Sequence, residues 1–277
     1  MKGIDVCKFF VLISTILVLA VKPVYAVENS FSFGFVPQQS PSVLVKLWGP
    51  ILKKLSHDTG LTINFSTAPD IPTFEARLAA GEYDFAYMNP LHYTVFSQNP
   101  GYRAFGKQKG KNIKGILVTQ KDTLIKNLKE LDGKEIAFPA PAAFAATILP
   151  QSNLSKIDVK FTSKYVGSHD SVYIGVARGM FVAGGGIQRT LETVDPKVKE
   201  KLNIFWVSEG YTPHAFAAHP RVPTNVVDTV QRVLLKMFDN KDGKKLLNEL
   251  GFTQGIERGT DSDWNDVREL QIDILPK

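Results

Sequence analysis

In GSHDSV (167–172) a serine, a histidine and an aspartate stand side by side at Ser168, His169 and Asp170. These are the residue types that acyl-transfer enzymes use as nucleophile, base and orienting acid, but the spacing rules that chemistry out. A nucleophilic triad is a line of converging side chains from separate segments, and three consecutive residues cannot form it. Two roles stay open: Ser168 or Asp170 capping a helix, or His169 facing a ligand at the helix start. His92, His169 and His214 with Asp170 supply donors that suit zinc. No two of those histidines lie four apart and no HExxH occurs, so no metal is expected.

The stretch PAPAAFAATILP (139–150) reads as a helix entered through two prolines, with no side-chain oxygen from Ala142 to Ala146. The first backbone N–H groups of a helix have no partner within it, and Ser, Thr, Asp or Asn normally serves them. Here they either meet water or a neighbouring loop, with Phe144 in the core, or they line a cleft and hold an anion there. In the second case Ala143, Phe144 and Ala145 are contact residues. Polar residues just after strands complete the candidates. Gln38, Gln39 and Ser40 can meet a ligand or cap the next helix, and Tyr87 and Asn89 end a strand. His92 is either a neutral ligand-contacting donor or a buried, satisfied histidine. Arg189 in GGGIQR can pair with a carboxylate or lie at the surface.

The elements that must position these residues alternate. SFSFGFVP (30–37), LTINFS (61–66), YDFAYM (83–88), GILVTQ (115–120), KEIAFP (134–139), KIDVKFT (156–162), MFVAGG (180–185), NIFWVSEG (203–210) and AFAAHP (215–220) read as strands. Between them lie helical patterns, such as 42–60 with Val43, Leu47, Ile51 and Leu55 at fourfold spacing and Gly60 as C-cap. The 98–114 stretch reads as a basic loop, and the end is helical from Val226. Strand–helix alternation predicts α/β layers with mostly parallel sheets, whose ligands sit beyond the carboxyl ends of strands.

Lys2, Lys8, the apolar run 9–21 and the small residues before Val27 predict a secretory signal peptide over residues 1–26, and hence a periplasmic protein. The sole cysteine, Cys7, lies inside it without a lipoprotein pattern, so no disulfide or thiol chemistry is expected. The 277-residue chain less those 26 leaves 251, with 30 Lys and Arg against 26 Asp and Glu. That mild, scattered excess suits an anionic ligand and excludes a nucleic-acid partner.

FGFVP (33–37), APD (68–70), GEYDFAYMNPLHY (81–93), the KDT…LDGKEIAFPAP block from Lys121 and GSHDSVYIGVARG (167–179) occur in this order over nearly the whole mature chain. Together they resemble the PhnD-like periplasmic substrate-binding proteins of phosphate, phosphite and phosphonate ABC importers. The resemblance implies a type II periplasmic-binding-protein fold, α/β, with two lobes joined by two crossover strands. Lobe one would take 27–115 plus 212–277 and lobe two 116–211, with GILVTQ and FWVSEG as crossovers. It also implies a monomer that closes by hinge motion over a small anionic solute and passes it to an inner-membrane ABC permease. No catalysis and no cofactor are implied. A second reading has the same fold feeding a membrane sensor kinase or chemoreceptor.

Three departures from the family pattern bear on the ligand. The Ser-Thr-Ser run at the helix start is Ala143-Phe144-Ala145, the tyrosine after APD is Ile71, and Val182 replaces an acidic residue. Losing even two hydroxyl hydrogen bonds to an anion costs roughly 3–6 kcal/mol, two to four decades of affinity. The expectation is a ligand less like free phosphate, a small organic acid with an apolar or aromatic part.

Overall fold

A computed structural model of the chain describes residues 29–275, and the expected signal peptide with Cys7 lies outside the described residues. Strand β1 (Ser30–Phe35) carries Phe31, Phe33 and Phe35 at twofold spacing, all buried. Helix α1 (Pro41–Thr59) packs Leu44, Trp48, Ile51 and Leu55 beneath it and stops where Gly60 turns left-handed at φ 72°. β2 (Thr62–Ser66) follows. α2 (Ile71–Ala79) begins where the Asp70 carboxylate accepts the Thr73 amide at 2.8 Å. β3 (Phe85–Met88) is buried throughout and leads into α3 (Pro90–Phe96).

The expected loop 98–114 contains a strand, β4 (Arg103–Gln108). Phe105 is its sole deeply buried apolar side chain, so the local pattern is weak, and pairing with later strands makes it a strand. Next come β5 (Gly115–Gln120), β6 (Lys134–Phe138), a π-helical turn (Phe144–Ile148) and α4 (Leu149–Lys156). The strand expected at 156–162 is β7 (Phe161–Tyr165). Ile157 and Val159 alternate like strand residues, but they close α4 through a turn with Asp158 at φ 58°. After α5 (His169–Ala177), the strand expected at 180–185 is β8 (Ala183–Ile187), followed directly by α6 (Gln188–Thr193) and α7 (Pro196–Lys199), neither expected. β9 (Leu202–Val207), β10 (Ala215–Ala218), α8 (Thr224–Lys236), α9 (Lys241–Glu249), the short β11 (Ile256–Glu257) and α10 (Asn265–Arg268) complete the order.

Two mixed sheets result, β11-β4-β10-β3-β1-β2 and β7-β6-β8-β5-β9. The strands that alternate with helices are parallel, as expected. Those that flank the passages between the sheets, β4, β5, β9 and β10, run antiparallel to their neighbours. GILVTQ does not cross between the sheets, and neither does the FWV of FWVSEG; as β5 and β9 they pair within the second sheet. The crossing segments are 109–114 and 208–214. The amides of Ile113 and Tyr211 tie them through reciprocal hydrogen bonds of 2.7 and 2.9 Å. The first sheet's core is aromatic, with Phe35 and Trp48 at 4.4 Å, and it continues across to Ala142–Ala146 and Ile187 beside the second sheet.

Candidate functional site

The loop 36–40 leaves β1 and runs against the second sheet. The Gln38 carbonyl accepts the His169 amide at 2.8 Å, and the Ser40 amide reaches Asp170 Oδ2 at 3.0 Å. Gln39 Nε2 donates to Thr193 Oγ1 at 2.9 Å. Arg189 donates to Gln38 Oε1, which turns the other end of that amide to His214 Nε2 at 3.0 Å. Asn89 caps α3 through the His92 amide at 2.8 Å and donates to the Ala142 carbonyl at 3.0 Å. Elements of both sheets therefore share hydrogen bonds around one narrow cavity of about 10 Å³, close to the least space that one water occupies.

Gln38, Asn89, His169 and His214 supply the polar side chains of its wall, and Ala143, Phe144, Ala145 and Ala146 supply the helix start. The amides of Phe144, Ala145 and Ala146 have no hydrogen-bond acceptor among the described residues. Two glycines seat this turn on the second sheet. An ideal Cβ on Gly115 would lie 2.1 Å from the Ala145 carbonyl oxygen, and one on Gly185 would lie 1.9 Å from that of Ala146. The carbonyls press on bare sheet backbone, and because a trans peptide points the next amide the opposite way, the Ala145 carbonyl against Gly115 turns the Ala146 amide toward the cavity, while the amide after the Ala146 carbonyl, that of Thr147, bonds back to the Ala143 carbonyl at 2.7 Å. The π-helical turn and α4 run on continuously, so the dipole's positive end adds to these three donors.

Desolvation sets the charge state of the wall. Burial, with Arg189 nearby, pushes His169 down to about 3, and His214 is lowered well below its ordinary value for the same reasons. Both imidazoles are therefore neutral at neutral pH. None of the lining residues carries a carboxylate. The nearby full charge is the Arg189 guanidinium behind Gln38, and no carboxylate lies within salt-bridge distance of it among the described residues.

Of the residues singled out in sequence, Gln38, Asn89, Ala143, Phe144, Ala145 and His169 reach this cavity. Tyr87 lies beneath it, buried against Trp48 and stacked on His214 at 4.9 Å. His92 is wholly buried with Nε2 2.9 Å from Glu75 Oε1 and Nδ1 unpartnered. Ser168 is the cap of α5, its hydroxyl accepting the Ser171 amide at 3.1 Å. Asp170, Gln39 and Ser40 form the seam beside the cavity, where burial raises the Asp170 carboxyl and leaves its Oδ1 without a partner. Arg189 stands one residue back, holding Gln38. Ala146 and the apolar wall of Val36, Ile71, Ile113 and Ile187 are additions from the structure. His214, read from the sequence as a possible metal donor, faces the cavity from a position just before β10.

Replacing Asn89 by alanine removes a helix cap and a hydrogen bond between the two sheets' elements. The expected cost is about 1–2 kcal/mol in urea unfolding; an unchanged midpoint would show that neither contact is formed.

The sequence model of a family described as ABC transporter, phosphonate, periplasmic substrate-binding protein matches residues 33–264. A phosphate-import protein, PhnD, of Mycolicibacterium smegmatis is 23% identical, over 87% of this chain and 85% of that one. The binding-protein component of an ABC phosphonate transporter from Pseudomonas aeruginosa superposes with a TM-score of 0.79 at 16% identity, covering 88% of this chain and 86% of that one. PhnD1 from Prochlorococcus marinus in complex with methylphosphonate also gives 0.79, at 18% identity, over 88% and 97%. These structures share the two-lobed type II architecture with this chain.

Proposed function

Since the chain belongs to the family of periplasmic substrate-binding proteins of phosphonate ABC transporters, we propose that it captures a small phosphorus oxyanion in the cavity between its sheets. In this reading residues 29–108 with 215–275 form one lobe and 115–207 the other. The lobes part and close about 109–114 and 208–214. The monomer then delivers the solute to an inner-membrane permease. One observation carries the reading: opposed elements bring three unpaired amides and four neutral polar side chains to a single cavity with no carboxylate. Such a wall stabilises an anion through donors and the helix dipole without needing side-chain hydroxyls.

The size of the cavity bears on the aromatic-ligand expectation. At about 10 Å³ the cavity as it stands holds no more than about one water, so any ligand enters as the lobes part, and Phe144 already packs edge-on against Tyr211 at 5.5 Å. A compact phosphorus oxyanion asks for less opening of that cavity than an aryl acid does. The sensory alternative is not favoured, because the family is one of transport components.

A thermal-shift series on the mature protein tests this with phosphate, phosphite, methylphosphonate, acetate and benzoate. At a hundredfold excess over Kd a true ligand adds about 2.7 kcal/mol, a rise of roughly 5–10 °C for a chain this long. A shift with benzoate and none with any phosphorus compound would overturn the reading.

A further inference from the structure

The groups of the wall left free are mainly donors, the three amides and the second N–H of Gln38 Nε2, and His169 is the exception. Its Nδ1 lies 3.0 Å from Thr190 Oγ1, and no described residue hydrogen-bonds its Nε2. Thr190 sits in a closed group of contacts: 2.7 Å from the Tyr173 hydroxyl and 3.0 Å from the Ile187 carbonyl, which also lies 3.0 Å from Tyr173. The Ile187 amide in turn donates to the Tyr173 oxygen at 3.1 Å. Each hydroxyl has one proton. The 2.7 Å contact needs one proton, and the Ile187 carbonyl, which can only accept, needs the other.

Both arrangements that meet these two demands use up the Thr190 proton. Either Tyr173 donates to Thr190 and Thr190 to Ile187, or Thr190 donates to Tyr173 and Tyr173 to Ile187. In each, the contact with His169 is filled only by a proton on Nδ1. A neutral imidazole has a single N–H, so Nε2 offers a lone pair. The charged and titratable groups around His169 are Arg189 from α6, Asp170 and Tyr173 on its own helix, and His214 from the first sheet. Burial and the Arg189 charge keep the ring neutral, so this acceptor does not turn into a donor at neutral pH.

A fully deprotonated oxyanion brings only lone pairs, and at Nε2 it sets lone pair against lone pair. An oxyanion that keeps one acidic hydroxyl fits every group: its oxygens take the amides and Gln38 Nε2, and its O–H donates to His169. We propose that the pocket selects the monoprotonated form of its oxyanion, through a hydrogen bond from the ligand hydroxyl to His169 Nε2, and rejects forms without a proton. This rests on the cavity being the ligand site.

Calorimetric titration of the mature protein tests it, with methylphosphonate and with phosphite, from about pH 6 to about pH 9, where no imidazole of the wall changes charge. Affinity should fall about tenfold for each pH unit above the ligand's second ionisation, and the midpoint should move with the ligand, lower for phosphite. At low pH dimethylphosphinate, which replaces the hydroxyl of methylphosphonate by a methyl group at equal charge, should bind at least about a hundredfold more weakly, because a buried acceptor is left unpaired. Sulfate should not compete. A flat profile, or a midpoint identical for both ligands and therefore belonging to a protein group such as Asp170, overturns the proton requirement while leaving the phosphorus-oxyanion site standing. No binding of either ligand at any pH overturns both.

Discussion

Replacing Gly185 by alanine should abolish ligand-induced stabilisation and lower the melting temperature by several degrees. The new Cβ would lie 1.9 Å from the Ala146 carbonyl oxygen and 2.7 Å from the Phe138 ring. The first obstacle is backbone, so no rotamer change relieves it. The helix start must lift off the sheet, and the direction open to it is the cavity its amides line. Overpacking of this kind costs about 1–3 kcal/mol and occasionally more, or roughly 2–12 °C in a chain of this length. Displaced donors should weaken oxyanion binding by at least about two decades, since each charge-assisted hydrogen bond is worth roughly 1.5–3 kcal/mol. Gly49→Ala is the matched control. It lies inside α1, where the nearest atom to a new Cβ is 3.9 Å away, and it should be neutral or slightly stabilising. Wild-type melting and binding in Gly185→Ala would mean that the helix does not seat on bare backbone there.

The second large effect is acid sensitivity. His169 has an ordinary value of 6.5 and a folded value of about 3, so between those limits the unfolded chain binds the extra proton. Stability therefore rises with pH across that window and is lost as pH falls through it. The loss from this one residue should be about 2 kcal/mol at pH 5 and on the order of 4 kcal/mol near pH 3. His214, lowered for the same reason, adds in the same direction. Urea unfolding at a series of pH values reads the slope. His169→Asn keeps an N–H that can reach Thr190 but does not titrate. It should start less stable than wild type at pH 7 and draw level as the pH falls. Parallel curves for the two proteins would place the acid loss elsewhere.

Much of the fold is legible from local rules. Phe31, Phe33 and Phe35 at twofold spacing make β1, Asp70 and Asn89 cap the helices that follow them, and Gly60 ends α1 in the left-handed turn it permits. Each of these depends on neighbours within a few residues, where periodicity and capping chemistry act. The failures are equally local in cause. Around Ile157 and Val159 an alternating pattern served the turn that closes α4, with only Val159 deeply buried, and β4 carried too few apolar residues to announce itself.

The site divides along the same line. The types of group are written in the chain: a helix start without hydroxyls, GSHD after a strand, and amides and histidines at strand ends. Which of them face the cavity was decided by contacts across long separations. Gln38 meets His214 over 176 positions while its neighbour Gln39 turns to Thr193, and Tyr87 stacks on His214 instead of lining the cavity. Gly115 and Gly185 let the helix start seat on the second sheet, and so turn the Ala146 amide outward, only because that sheet brings bare backbone against it. The neutral state of His169 likewise follows from burial, which is a property of the assembled chain and not of any segment. Short-range sterics and hydrogen bonding select the elements; the direction and charge of a side chain depend on what is packed around it, and that exists only after folding.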